Sequence, residues 1–85
     1  MSWQVEITRG ARKELEKSPA HMQARIAQTI LPLEDNPFPH DCKKLRNRDG
    51  WRIRVGDYRL LYFADAKAKQ IVIGVIGHRR EVYRI

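Results

Sequence analysis

The chain has 85 residues, 42% of them hydrophobic, with 17 Lys and Arg against 10 Asp and Glu and a net charge of +7. A chain of that length buries about 60 to 65% of the surface its unfolded form exposes, enough to close one core over residues 1–85 and too little for a second domain. No apolar run approaches the roughly 20 residues that cross a bilayer, no signal peptide is apparent, and a single Cys42 with no Cys/His cluster excludes an internal disulfide and a zinc site. The expectation is one cytoplasmic domain with no membrane partner, no metal and no cofactor, held by its core alone.

Trp3, Val5 and Ile7 alternate with polar residues, the period of a half-buried strand, which predicts a strand over 2–8. Thr8 can cap a short helix over 9–17, with Ala11 and Leu15 on its apolar side. Ser18 followed by Pro19 reads as the cap and first position of a second helix, whose Met22, Ile26, Ile30 and Leu33 form an apolar stripe. Pro32 should kink its last turn, and Asn36 before Pro37 should end it. Residues 37–50 have no period and read as a loop carrying the basic cluster Lys43, Lys44, Arg46 and Arg48. Beyond it Trp51, Ile53 and Val55 form one strand and Tyr58, Leu60 and Tyr62 the next, joined through Gly56-Asp57, a type II′ hairpin signature. A third strand over 70–76 follows a polar turn at 65–69. The predicted fold is α+β: an N-terminal strand, two antiparallel helices, then a three-strand antiparallel meander, all strands in one sheet.

The positive charge is one-sided. Residues 1–42 carry five Lys and Arg against six Asp and Glu, whereas residues 43–85 carry twelve against four, and eight of those twelve are Arg. The guanidinium fork suits bidentate phosphate contacts, so the second half reads as a polyanion-binding face. The hairpin sharpens this expectation. With Gly56 and Asp57 as turn residues, Arg54 lies opposite Arg59, and Arg52 shares their face. Like charges directly opposite are destabilising, so the three arginines need either acidic neighbours or an anionic ligand, and the second half has few acids to spare. At the far end, the run His78-Arg79-Arg80 with Tyr83 nearby is what a flexible nucleic-acid strand would use, cations holding its phosphates while the ring stacks on a base; Tyr83 could equally pack on the sheet. Cys42 reads as an inert thiol.

The segments Lys44-Leu45, Gly50-Trp51-Arg52-Ile53-Arg54-Val55-Gly56-Asp57-Tyr58-Arg59-Leu60-Leu61-Tyr62 and Gly77-His78-Arg79-Arg80-Glu81-Val82-Tyr83 resemble the RelE toxins of the RelE/ParE superfamily, in order and spacing and along nearly the whole chain. The resemblance implies a RelE-like fold and the toxin of a type II toxin-antitoxin pair, held silent in a hetero-oligomer by a cognate antitoxin. It implies a ribosome-dependent mRNA endonuclease acting at the ribosomal A site, in which a ribose 2′-OH attacks the adjacent phosphate without a metal and leaves a 2′,3′-cyclic phosphate and a 5′-OH. On that pattern Arg59 clamps the scissile phosphate with help from Arg52, Arg79 falls near the arginine that protonates the leaving oxygen, and Tyr83 stacks on or orients the substrate. Lys43, Lys44, Arg46, Arg48 and Arg80 would bind RNA.

Arg54 stands where some members carry a lysine assigned as general base. A guanidinium is a poor proton acceptor at neutral pH, so Arg54 is expected to act as an electrostatic stabiliser. His78 is then the candidate for proton transfer, and a solvated residue at a strand end is its plainer reading. The chain also ends two residues after Tyr83, leaving no C-terminal helix. Two other functions share the fold: a ParE-like gyrase-inhibiting toxin without nuclease activity, and an inert module whose basic groove only holds an acidic antitoxin.

Overall fold

The computed structural model describes residues 3–46 and 48–78. In chain order these form β1 (Gln4–Ile7), α1 (Arg9–Lys17), α2 (Ala20–Ile30), a 3-10 turn (Leu31–Glu34), β2 (Lys43–Lys44), β3 (Trp51–Val55), β4 (Tyr58–Asp65) and β5 (Gln70–His78). The five strands make one sheet in the order β1-β5-β4-β3-β2. Strands β2 to β5 pair antiparallel, and β1 adds parallel to the far side of β5. The α+β class and the strand-helix-helix-meander order are as expected. The short β2, inside the segment read as a loop, is an addition: two residues are too few to show any period.

Both helices lie on one face of the sheet, α1 against β5 and α2 against β3. The predicted stripe is the part of α2 that does this. Met22, Ile26 and Ile30 are buried, as is Leu33 in the 3-10 turn, and they meet Ile53, Leu60, Tyr62, Ile71 and Ile73 from the sheet. Thr8 links β1 to α1 by accepting a bond from the Ala11 amide at 3.3 Å and donating its hydroxyl to the Gly74 carbonyl at 3.2 Å.

Two helix-end expectations are corrected. Ser18 does not cap α2: it ends α1, turning its hydroxyl back to the Leu15 carbonyl at 2.5 Å, and Pro19 occupies the N-cap position of α2 without a side-chain bond. Nor is α2 kinked near its end. It stops at Ile30 and the chain tightens into the 3-10 turn, where Pro32, lacking an N–H, sits in the first turn and loses no ladder bond.

The hairpin forms as predicted, with Arg54 level with Arg59 and Val55 level with Tyr58. Gly56 takes φ +59 and Asp57 does not enter the left-handed region, which is the II′ pattern. The β4–β5 ladder then contains an irregularity. Leu61 pairs with Val75 but Tyr62 pairs with Ile73, so Gly74 is an extra residue, a β-bulge. A bulge reverses the side-chain alternation beyond it, so Ile73 and Ile76 both enter the core although three residues apart. Among the described residues no helix is long and apolar enough to cross a membrane.

Candidate nucleic-acid interface

The sheet face away from the helices carries the arginines. Strand alternation sends Ile53 and Val55 into the core and therefore turns Arg52 and Arg54 to the outer face, and it does the same for Arg59 between Tyr58 and Leu60. The register then builds two cross-strand rows. One runs Lys43, Arg52, Leu61, Val75; the other runs Arg54, Arg59, Gly77. Directly opposed residues have Cβ atoms about 4.5 to 5.5 Å apart, so Arg54 and Arg59 are close neighbours of like charge.

The three arginines differ in exposure. Arg54 is open to solvent and Arg52 half-buried, whereas Arg59 is only 5% exposed, its row completed on the β5 side by a glycine that has no side chain to compete for space. An open cleft of about 210 Å³ lies over this region, lined by Asp41, Lys43, Arg52 and Arg54. Among the described residues neither Arg52 nor Arg54 forms an ion pair with a carboxylate. Asp41 comes from the first half of the sequence, just before β2, so the scarcity of acids in the second half did not reveal it. Asp41 lies in the turn before β2 and shares the cleft with Arg54.

The segment leading to β2 is pinned from below. The Tyr62 hydroxyl, on a side chain 1% exposed, donates to the Pro37 carbonyl at 2.7 Å, and the Cys42 amide bonds the Pro39 carbonyl at 3.0 Å. Burial, with Cys42 beside it, pushes the Tyr62 hydroxyl well above its ordinary pKa. The protonated form is thus the one the fold favours, and the stability it contributes is present below the ordinary tyrosine value of 10.0 and is lost as pH rises beyond it. Phe38 packs against Trp51, ring centroids 4.8 Å apart, and edge-on to Trp3 at 6.4 Å. Tyr62→Phe leaves the Pro37 carbonyl without its donor and is expected to cost about 1 to 3 kcal/mol, read as a shift in the urea midpoint at unchanged m-value.

A second cleft, of about 430 Å³, lies on the helix side between the start of α2 and the hairpin tip. It is lined by residues that include His21, Met22, Arg25, Gly56, Tyr58 and His78. The His78 ring stands edge-on to Tyr58, centroids 5.6 Å apart.

The sequence pattern of the family described as "ParE toxin of type II toxin-antitoxin system, parDE" matches residues 5–83. Toxin RelG of Mycobacterium tuberculosis is 31% identical over 86 residues, covering 99% of each chain. In the RelE–RelB complex from Pyrococcus horikoshii, a chain 32% identical superposes with a TM-score of 0.83 over 93% of this chain and 97% of its own. A chain of the RelBE2 toxin-antitoxin complex from Mycobacterium tuberculosis, 30% identical, gives 0.81 over 93% and 100%. The chain belongs to the RelE toxin family of the RelE/ParE superfamily.

Of the residues expected to serve a RelE-type site, Lys43, Arg52, Arg54 and Arg59 are brought to one face. Lys44 alternates away, level with Trp51, and Arg46 and Arg48 are exposed in the connection at the end of β3 remote from Arg54. Arg79, Arg80 and Tyr83 lie outside the described residues. His78 is a correction. Beyond the Gly74 bulge it shares the core-side parity of Ile76 and lines the helix-side cleft with Tyr58, so the sheet separates it from the arginine rows. Asp41 was missed by reading the sequence, since its proximity to Arg54 depends on a strand too short to detect.

Proposed function

We propose that this RelE-family toxin cuts mRNA on the ribosome, by attack of a ribose 2′-OH on the adjacent phosphate, and so blocks translation. The observation that carries the reading is the direct opposition of Arg54 and Arg59 on the sheet face away from α1 and α2, with Arg52 in the next row. Guanidinium groups set this close together offer several N–H donors to one phosphate. In-line attack builds negative charge on the non-bridging oxygens, and guanidinium groups already in place stabilise that charge with little reorganisation. Arg54 and Arg52 face the cleft where the phosphate would lie. Arg59, almost fully covered, supplies positive potential from beneath, and its contact with the phosphate would be made at the margin of its exposed surface. The expected roles of Arg79 and Tyr83 complete the proposal.

The solved relatives include complexes of RelE with RelB, and a cognate antitoxin is the partner proposed for this chain. The same basic face suits an acidic, amphipathic segment, whose binding would neutralise the arginines and deny RNA the cleft.

Primer-extension mapping of transcripts during expression tests this reading. Cleavage sites within translated regions, together with arrested protein synthesis, are expected. Intact transcripts with an induced DNA-damage response would support the gyrase-inhibiting alternative, which the ParE description of the matched family keeps open. Salt dependence supplies a second check. Each phosphate neutralised contributes about 0.7 to the slope of log K against log salt for a single strand. Neutralising Arg52 and Arg54 together should therefore make the slope shallower by about 1.4, measured by RNA-binding titrations between low and physiological salt.

A further inference from the structure

Attack by a 2′-OH requires a proton acceptor, and three of the four described residues lining the cleft, Lys43, Arg52 and Arg54, are cations with no lone pair to offer in their charged forms. Arg54 cannot take the role that a lysine has in some relatives, and His78 is on the other side of the sheet. The fourth lining residue is a carboxylate. Asp41 is exposed, lies inside the turn closed by the Cys42 amide bond to the Pro39 carbonyl, and lines the same cleft as Arg54.

We propose that Asp41 is the general base of the cleavage reaction. The assignment rests on the nuclease reading above. In the step, the Asp41 carboxylate takes the proton of the 2′-hydroxyl as the 2′-oxygen forms a bond to phosphorus and the bond from phosphorus to the 5′-oxygen breaks. Arg54 and Arg52 hold the non-bridging oxygens. The departing 5′-oxygen takes a proton from Arg79, in the role expected for it above, Arg79 regains one from solvent, and Asp41 returns its own to solvent, so the protein ends as it began. The cationic neighbours that would weaken Asp41 as a base are the groups that orient the phosphate, and they bring the 2′-hydroxyl of the same nucleotide to the carboxylate's side of the cleft.

Electrostatics makes the test decisive, because a carboxylate in an RNA-binding cleft repels the substrate. An Asp41 with no chemical task would make Asp41→Asn bind RNA more tightly and cut at least as fast. An Asp41 that accepts the proton makes Asp41→Asn bind as well or better and yet cut about 100-fold more slowly or worse, since a positioned base contributes on the order of 100- to 10,000-fold. Single-turnover cleavage on ribosomes carrying a defined mRNA would be measured for the wild type, Asp41→Asn and Asp41→Glu, with A-site occupancy and melting temperature recorded alongside. The proposal expects lost rate, retained occupancy, unchanged melting and partial recovery in Asp41→Glu. Wild-type cleavage matched by Asp41→Asn would overturn the Asp41 assignment alone, as would a rate loss that merely tracks a fall in melting temperature. A wild type that occupies the A site without cutting would overturn the nuclease reading and this step with it.

Discussion

Arg54→Ala is expected to slow ribosome-dependent cleavage by about 100- to 1,000-fold, the loss typical of removing one preorganised stabiliser of a developing oxyanion. It should do so without unfolding the protein. Arg54 is exposed on the sheet surface, level with Arg59 on the neighbouring strand, so its removal should leave the melting temperature nearly unchanged. Lower activity at equal or greater stability is the signature of a residue retained for function. Single-turnover rates and thermal melts of the same preparations check both halves. An Arg54→Ala protein that cuts at the wild-type rate would remove the arginine rows from the mechanism. Arg59→Ala is a poorer probe, because it deletes a side chain only 5% exposed and mixes loss of packing with loss of charge.

Ile26→Ala should have the opposite profile. Ile26 is fully buried where α2 meets the sheet, and truncating such a residue costs about 2 to 5 kcal/mol once the cavity is included. A small domain has only about 5 to 15 kcal/mol in total, so urea unfolding should show a midpoint reduced by roughly a third at an unchanged m-value. The fraction that stays folded should still cleave with the wild-type rate constant, because Ile26 lies on the other side of the sheet from the arginines. A loss smaller than 1 kcal/mol would contradict the picture of α2 as the element that closes the core.

The parts of this molecule that could be read from its sequence are those set by local period and turn chemistry. The 3- and 4-residue spacing of Met22, Ile26, Ile30 and Leu33 located the buried stripe even though Pro32 ended the α-helix sooner than expected. Gly56-Asp57 pinned the hairpin, and with it the opposition of Arg54 and Arg59. What escaped depended on non-local pairing. The partner of β1 could not be inferred, since nothing in Val5 or Ile7 specifies β5 over another neighbour or a parallel direction. The two-residue β2 had no pattern to show, and Asp41 was hidden with it. On the sequence alone His78 lies beyond a strand that ends at residue 76, whereas β5 runs to His78 and so fixes the side on which it stands. Had the β5 alternation run unbroken from Ile71 and Ile73, His78 would have stood on the arginine face, and the extra residue at Gly74 moves it to the other.

The cleavage of a ribosome-bound message with one altered sugar tests the account most directly. The mRNA would carry a single 2′-deoxynucleotide on the 5′ side of the mapped cut, and its all-ribose counterpart would serve as control. The account predicts that the control is cut to a 2′,3′-cyclic phosphate and a 5′-OH, whereas the deoxy message occupies the A site with the toxin bound and stays whole. Scission of the deoxy message at the same position would contradict it.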